Sequence, residues 1–307
     1  MGADSGRGGD PRGSIRHGFE NRTTILFVEP PVGSRRMTSS PAIPALPAPP
    51  EEMKAKVVLT GAPAVGKTSL VRRYVKNEFR EGYGSTLGAI VYKRDVNLQV
   101  GTRSIHVAMT LWDVMGQVGG ANLLRDIDLF GAQGVLAVCD VTDETTVQPL
   151  RLRVDAVTKV AGDVPVQILM NKADLGANED VKNAGLRTGL NRGMPCYLTS
   201  AKMGDNVVAA FEDLTRRIVE RTLLPADAPL DGVDRGLLIA CASEPMGAEE
   251  VARRERIPAI FAEARLERLR RQGYLRLAAM ALDEEGRPTI SYGRGKKPFQ
   301  AVPVLSA

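Results

Sequence analysis

The sequence predicts an α/β fold, in which a mostly parallel six-stranded sheet has one antiparallel edge strand and helices on both faces, followed by a small α+β domain. Three observations predict it. Strand-like and helical runs alternate from Lys54 to about Pro225, a glycine-rich loop separates the first strand from the first helix, and a turn at Gly101-Thr102 joins two consecutive strands. That turn is too short for a crossover, so the strands it joins should form an antiparallel hairpin.

Each element has its own pattern. Apolar runs rich in β-branched residues predict six strands: Ala55–Leu59, Ala89–Val100, Ser104–Trp112, Val135–Cys139, Val166–Met170 and Cys196–Thr199. Apolar residues at helical spacing predict helices at Thr146–Ala161 and Asp205–Arg221. Ligands of such sheets bind at the carboxyl ends of the strands, so the loops that follow the strands are where function is expected.

Composition narrows the class of protein. The 307 residues suffice for roughly two domains, and 43% hydrophobic and 25% charged residues are ordinary globular values. A formal charge of +5 is too small to argue for nucleic acid or anionic lipid. Cys139, Cys196 and Cys241 form no C-x-x-C pair, which favours buried free thiols in a reducing compartment. No apolar run approaches the ~18 residues of a membrane span and no secretion signal is visible, so a cytoplasmic location is expected.

The chain divides into five predicted segments. Residues 1–52 are rich in Gly, Pro, Ser and Arg and are predicted to be disordered. Residues 53–225 form the main α/β domain, residues 226–236 a linker, residues 237–297 the small second domain and residues 298–307 a tail.

The glycine-rich loop Gly61-Ala-Pro-Ala-Val-Gly-Lys-Thr-Ser69 fits G-x-x-x-x-G-K-[ST] between a strand and a helix. Backbone N–H groups of such a loop surround a phosphate, and Gly61 and Gly66 permit its tight curvature. Lys67 is predicted to contact the β- and γ-phosphates, and the Thr68 hydroxyl to bind Mg²⁺. The alternative is an ordinary glycine-rich turn. The predicted phosphate-binding residues are Gly61, Ala64, Val65, Gly66, Lys67, Thr68 and Ser69.

Two further motifs concern the γ-phosphate. In Asp113-Val-Met-Gly-Gln117, Asp113 suits outer-shell Mg²⁺ binding, the Gly116 N–H can meet a phosphate oxygen and Gln117 can orient the attacking water. Thr86, in a loop before the second strand, is a candidate second hydroxyl on Mg²⁺. The predicted catalytic residues are therefore Gln117, Lys67 and Gly116, and the predicted metal ligands are Thr68, Thr86 and Asp113.

Two motifs at later strand ends predict recognition of a base. In Asn171-Lys-Ala-Asp174, the Asp174 carboxylate can accept hydrogen bonds from the N1–H and exocyclic amine of guanine, a donor pair that adenine lacks. Lys172 would lie along the base plane. In Ser200-Ala-Lys202, the Ala201 N–H could bond the guanine carbonyl oxygen. The predicted base-binding residues are Asn171, Lys172, Asp174, Ser200, Ala201 and Lys202.

Each short motif alone also fits a structural role. Asp113 could be a turn residue, Asn171 and Asp174 solvated loop residues, and Ser200 a helix cap. Together the motifs occur in one order around a single phosphate loop, three of them at predicted strand ends, and coincidence does not explain that order.

With GAPAVGKTS, STLGA, WDVMGQ, CDVTDETT, NKAD and TSAK in this order, the chain from about Lys54 to Pro225 resembles the Ras superfamily of small GTPases, most closely a prokaryotic type of the Rab-like branch. The resemblance implies a P-loop GTPase fold, binding of GTP, GDP and Mg²⁺, and a switch in which residues 85–88 and 116–125 order around the γ-phosphate. Thr86 lies 19 positions after Lys67, as in the family. On this register Phe79 would pack on the guanine and Tyr83 would close over the phosphates.

The chain departs from the family pattern at three places. Pro63 stands where the family usually has Gly or Ser, and because it lacks an N–H it can alter the hydrolysis rate or the access of an activating protein. Val118-Gly-Gly120 replaces the usual Glu-Arg-Phe, which puts the family's effector and exchange-factor contacts in doubt. The last residues, Pro303–Ala307, include no prenylatable cysteine, so no membrane anchor is expected.

The second domain has predicted helices at Arg235–Ser243, Gly247–Arg254 and Pro258–Gln272 and predicted strands at Tyr274–Leu282 and Thr289–Tyr292. With Ala-x-x-Val-Ala at Ala248–Ala252 and the leucine pattern of Leu266–Leu275, this order of three helices and a hairpin resembles a winged helix-turn-helix. Reading DNA would need polar or basic side chains at the start of the third helix, which has Ala-Ile-Phe-Ala-Glu there instead. Basic residues come later, at Arg265, Arg268, Arg270, Arg271, Arg287, Arg294, Lys296 and Lys297. The acidic residues 283–285 at the hairpin turn oppose binding of phosphates by the basic residues of the hairpin. The pattern favours contact with protein over contact with DNA.

The leading hypothesis is a GTPase switch with slow intrinsic turnover, in which a water oriented by Gln117 attacks GTP in line. Its expected partners are a protein effector and activating and exchange proteins. Two alternatives remain open. One is a transcription regulator whose DNA affinity follows the bound nucleotide, and the other is a GTP-binding scaffold with negligible hydrolysis, which Pro63 and the altered residues after Gln117 allow.

Overall fold

A computed structural model describes residues 52–80, 89–100, 103–114, 129–224 and 227–298. Residues 1–51 of the predicted disordered segment lie outside these ranges. So do four predicted site residues, Tyr83, Thr86, Gly116 and Gln117, and the roles assigned to them remain predictions.

The larger unit is built on six strands: β1 (Glu52–Gly61), β2 (Ala89–Val100), β3 (Arg103–Val114), β4 (Gly134–Asp140), β5 (Val166–Asn171) and β6 (Cys196–Leu198). They form one sheet in the order β2-β3-β1-β4-β5-β6. β2 lies at the edge and runs antiparallel to β3, and every other pairing is parallel. The mostly parallel sheet with one antiparallel edge strand is therefore confirmed.

Among the described residues, four helices cover the two faces of this sheet: α1 (Lys67–Lys76), α2 (Gln148–Ala161), α3 (Glu179–Arg192) and α4 (Val207–Leu223). Alternate residues of β1 and β4 point to opposite faces, so the core has two hydrophobic clusters. One cluster includes α1 and α4, where Tyr74 stacks on Phe211 with ring centroids 4.2 Å apart. The other includes Leu150 of α2 and Val181 of α3. These helices hold the sheet rigid and leave its strand ends free to carry a site.

Helix α3 has no clear helical signal in the sequence, because Gly185 and Gly189 interrupt it. The structure shows what these glycines do. A Cβ on Gly185 would lie 2.6 Å from the Met170 sulfur, and one on Gly189 would lie 2.3 Å from the Cys196 sulfur. The glycines therefore let the helix approach β5 and β6 closely, and tight packing outweighs their low helix propensity.

The smaller unit comprises α5 (Gly232–Ser243), β7 (Met246–Gly247), α6 (Ala248–Glu255), α7 (Ala259–Arg271), β8 (Leu275–Leu282) and β9 (Pro288–Arg294). Its strands form an antiparallel sheet in the order β7-β9-β8 over a core that includes Leu237, Leu266 and Tyr292. The predicted three helices and hairpin are present, and β7 is an addition that is too short to leave a sequence signal. α5 begins three residues before the predicted Arg235, because Asp231 and Asp234 form a capping box. Residues 232–236 of the predicted linker are thus helical.

The two units pack against each other through α7 on α4 and β8 on α3. Glu263 of α7 forms ion pairs of 2.7 Å with Arg217 and 3.0 Å with Arg216, both on α4. Met280 and Leu282 of β8 pack against the second core cluster of the larger unit. The contact thus combines apolar burial with partly buried charge pairs.

Cys139, Cys196 and Cys241 are buried and free, as predicted. Within the described part of the chain, no helix is both long enough and apolar enough to cross a membrane.

Candidate functional site

The phosphate loop lies between β1 and α1, and its two predicted glycines are required by close contacts. A Cβ on Gly61 would lie 2.2 Å from the Val138 carbonyl oxygen of β4. Gly66 has a φ of 96°, and a Cβ there would lie 2.3 Å from Nδ2 of Asn171. The loop is therefore pressed against the ends of β4 and β5, in a conformation that other residues rarely adopt.

Lys67 is buried inside this loop. Its Nζ donates to the carbonyl oxygens of Gly61 at 3.1 Å and Ala62 at 2.8 Å. Burial lowers the pKa of Lys67 to about 8, and the nearby Asp113 carboxylate opposes that shift. An ammonium in this position lacks the counter-charge that a bound phosphate would supply. The first backbone N–H groups of α1 also favour an anion at this place, since the start of a helix leaves them without intrahelical acceptors.

Thr68 and Asp113 meet beside the loop, where the Thr68 hydroxyl donates to Asp113 Oδ2 at 2.5 Å. Asp113 is buried at the end of β3, and burial raises its pKa although Thr68, Lys67 and Arg72 act in the opposite direction. A buried carboxylate whose charge is poorly compensated, next to a hydroxyl, fits a hard divalent cation that prefers oxygen ligands. The structure thus brings two of the three predicted metal ligands together.

Asn171, at the end of β5, joins the two halves of the site. Its Nδ2 donates to the Val65 carbonyl oxygen in the phosphate loop at 2.9 Å. Its Oδ1 accepts hydrogen bonds from the Ala201 N–H at 3.1 Å and the Thr199 hydroxyl at 3.4 Å. The Ala201 N–H, predicted to meet a guanine carbonyl, is thus directed at Asn171 in this structure.

The other residues of the base-binding motif are also held in place. Ser200 donates from its hydroxyl to Asp174 Oδ1 at 2.6 Å, and the same oxygen of Ser200 accepts from the Met203 N–H at 3.0 Å. Asp174 itself is exposed. The Lys172 ammonium lies 2.6 Å from Asp140 at the end of β4. Burial alone would raise the pKa of Asp140, but its bonds to Lys172 and Thr142 outweigh burial and lower it.

Sequence reasoning missed two residues of this arrangement, Arg73 and Asp140. Arg73, on α1, donates from Nε to the Ala201 carbonyl oxygen at 2.8 Å and from Nη2 to that of Lys202 at 2.5 Å. No motif marks Arg73, because its two acceptors in that loop lie more than 120 residues away in the sequence. Asp140 stands in the run CDVTDETT directly after a strand, and that position was the available signal.

Phe79 is half-buried and packs against the first core cluster. Its predicted contact with a base remains a prediction.

The third helix of the smaller unit does not present a free surface. Every residue from Ile260 to Arg271 is buried or half-buried, since α7 packs on α5, α6 and β8 of its own unit as well as on α4. Its arginines have partners within the chain: Arg265 pairs with Asp231 at 2.6 Å, Arg268 pairs with Asp234, and Arg270 pairs with Glu267 at 2.6 Å. Arg271 donates to the Leu224 carbonyl oxygen at 3.1 Å. The basic residues of this helix therefore stabilise the protein's own structure.

Comparison with known proteins provides further evidence about the family of this chain. The Ras family model matches residues 56–220. Over 170 residues the chain is 37% identical to Ras-related protein Rab-21 of Geodia cydonium, which covers 55% of this chain and 72% of that protein. It is 34% identical over 167 residues to Rab-21 of Mus musculus, covering 54% and 73%. It is 31% identical over 177 residues to Ras-related protein Rab-7b of Bos taurus, covering 56% and 86%.

Proposed function

The chain belongs to the Ras family, and on that premise we propose that it is a GTP-binding switch that hydrolyses GTP to GDP and phosphate. The observation that carries the proposal is the grouping of four motifs around one loop. Lys67 fills the loop, the Thr68 hydroxyl meets Asp113, Asn171 joins the loop to Ala201, and Ser200 orients Asp174.

At the phosphate end, the Lys67 ammonium and the first N–H groups of α1 would stabilise the negative charge that develops on the γ-phosphate. Thr68, Asp113 and Thr86 would hold Mg²⁺, which supplies further charge stabilisation when bound. Gln117 would orient the attacking water and Gly116 would contact the γ-phosphate. We expect slow intrinsic turnover that a protein partner accelerates, because the sequence motifs place no arginine at the γ-phosphate.

At the base end, Asp174 supports selection of guanine. Ser200 holds one of its carboxylate oxygens, so the carboxylate can meet the paired N1–H and amine donors of guanine in a fixed orientation. Adenine offers no such pair, and binding adenine would cover a carboxylate that keeps only the Ser200 hydrogen bond, at a cost of about 1–3 kcal/mol.

The nucleotide state of the switch is proposed to be recognised by a protein effector. The smaller unit is proposed to be a winged helix, on the evidence of its order of three helices and three strands. The nucleotide-gated DNA regulator is the weaker alternative, because α7 is buried or half-buried from Ile260 to Arg271 and its arginines are paired within the chain. In the hairpin, Arg287 also pairs with Asp283 at 3.0 Å and Glu285 at 2.7 Å.

The test is binding of GDP, GTP and ADP to the full chain, followed by single-turnover hydrolysis of GTP. We expect tight binding of both guanine nucleotides and binding of ADP that is weaker by about 10- to 100-fold. Asp174→Asn should weaken GDP binding by about 100-fold, whereas Asp180→Asn, on the exposed start of α3, should not. Gln117→Leu should abolish hydrolysis and retain binding. Tight GTP binding without hydrolysis in the unaltered chain would favour the scaffold, and ADP binding equal to GDP binding would refute the proposal.

A further inference from the structure

A hairpin turn of the smaller unit lies against the loop that carries the base-binding residues. The turn, residues 283–286, joins β8 to β9. Its Gly286 carbonyl oxygen accepts a hydrogen bond of 2.9 Å from the Leu198 N–H, and Leu198 is the last residue of β6. Its Glu285 carbonyl oxygen accepts a hydrogen bond from Nδ2 of Asn206. The turn thus bonds to the edge strand of the larger unit and to the start of α4.

These two contact points are the two ends of one loop, residues 199–206, which contains Ser200 and Ala201. Asn206 closes it, because its Nδ2 also donates to the Leu198 carbonyl oxygen at 2.8 Å. Within the loop, the Ser200 N–H donates to the Asp205 carbonyl oxygen at 3.1 Å, and the Gly204 N–H to that of Ser200 at 2.8 Å. The Asn206 amide therefore links both ends of the loop to the hairpin turn.

The turn is preformed and its fit is close. Asp283 Oδ1 accepts from the backbone N–H groups of Glu285 at 3.0 Å and Arg287 at 2.8 Å. Gly286 is buried with a φ of 78°, and a Cβ there would lie 2.9 Å from Cβ of Leu198. A glycine is needed to bring the turn this near to β6.

We infer that the 283–286 turn positions the base-binding loop of the larger unit, with Asn206 as the positioning residue. By holding both ends of the loop, the turn sets where Ser200 and Ala201 lie, and through Ser200 the orientation of Asp174. The smaller unit is then part of what gives the chain its affinity for a guanine nucleotide. This inference rests on the proposed function, since it concerns the same site.

Docking of the smaller unit does not depend on Asn206 alone. Glu263 pairs with Arg216 and Arg217, and Met280 packs on the core of the larger unit, both away from the turn. A change at Asn206 therefore tests positioning without separating the units.

The experiment measures GDP release from the full chain, and its relative affinity for GDP and inosine diphosphate, whose base lacks the exocyclic amine. Asn206→Gly removes the amide and still accepts the φ of 55° found there. Asn206→Asp keeps the shape but directs a carboxylate at two carbonyl oxygens. The control is Glu284→Ala, an exposed residue of the same turn. Thermal unfolding with GDP bound checks that each variant is folded.

We expect GDP release about tenfold faster in Asn206→Gly, faster still in Asn206→Asp, and unchanged in the control. The preference for GDP over inosine diphosphate should fall by about threefold, because Asp174 no longer meets the amine in a fixed orientation. Faster release with an unchanged preference would indicate general loosening and overturn the inference. Wild-type release in folded Asn206→Gly would overturn it too and leave the proposed function standing, whereas failure of the unaltered chain to bind GDP would remove both.

Discussion

At the phosphate end of the candidate site, Lys67 donates to the carbonyl groups of Gly61 and Ala62, only a few residues away, and Thr68 beside it donates to Asp113 of β3. At the base end, all the partners come from distant segments: Asn171 bonds to Val65 and Ala201, and Asn206 bonds to Glu285. The phosphate end thus depends more on local backbone geometry, and the base end more on how separate elements pack. The two ends should therefore respond differently to substitution, and the effects below run from largest to smallest.

Gly66→Ala should disrupt both ends together, because the new Cβ would collide with Nδ2 of Asn171, the residue that joins them. We expect loss of measurable GDP binding in titration calorimetry. The matched control is Gly162→Ala, since Gly162 has a φ of 81° but no atom within 4 Å of a new Cβ. That control carries backbone strain without the contact and should cost about 1–3 kcal/mol of stability with GDP binding retained. Equal behaviour of the two variants would show that strain, and not the contact with Asn171, matters.

Lys67→Met should affect the phosphate end alone. We expect affinity for GTP to fall by about 100-fold, since a charged hydrogen-bonding group is lost. The free energy of unfolding without nucleotide should stay level or rise, because an ammonium that is costly to bury has been removed. Denaturant unfolding and nucleotide titration separate these two quantities. Lys76→Met, at the exposed end of α1, is the control, and a similar loss of affinity there would contradict the assignment.

Glu263→Gln tests the docking of the smaller unit on the larger unit. Arg216 and Arg217 would lose a partner but keep Asp213, so we expect docking to weaken by about 2 kcal/mol. Hydrogen exchange of α7 and α4 should accelerate, and GDP binding should change little. Glu249→Gln, exposed on α6, should leave exchange as it is. Unchanged protection of α7 in Glu263→Gln would show that apolar contacts alone hold the two units together.

Ser200→Ala should have the smallest effect, and that effect should be confined to recognition of the base. Asp174 and the Met203 N–H each lose one hydrogen bond, worth about 1 kcal/mol. We expect GDP affinity to fall several-fold, measured by competition against a fluorescent nucleotide, with no change in the rate of a single turnover. Ser243→Ala, exposed at the end of α5, is the control. A slower turnover in Ser200→Ala would mean that the two ends are not separable.

Most strands were predictable because their signals are local. Val166–Asn171 differs from the predicted Val166–Met170 by one residue, and β2 has the predicted bounds. Helix α3 was not predicted, since Gly185 and Gly189 have low helix propensity. Only the structure shows that these glycines allow the helix to pack closely on Met170 and Cys196. The same holds for Arg73, whose acceptors lie on a distant loop.

The sequence by itself determined the alternation of strands and helices, the glycines and lysine of the phosphate loop, and the polar residues at the strand ends. Each of these follows from a local requirement of backbone geometry or of charge near an anion. Only the tertiary structure decided that Asn171 joins the two ends of the site, that α7 packs on α4, and that the 283–286 turn bonds to Leu198 and Asn206. Contacts of that kind depend on the relative placement of whole elements, which packing sets and which no short stretch of sequence contains.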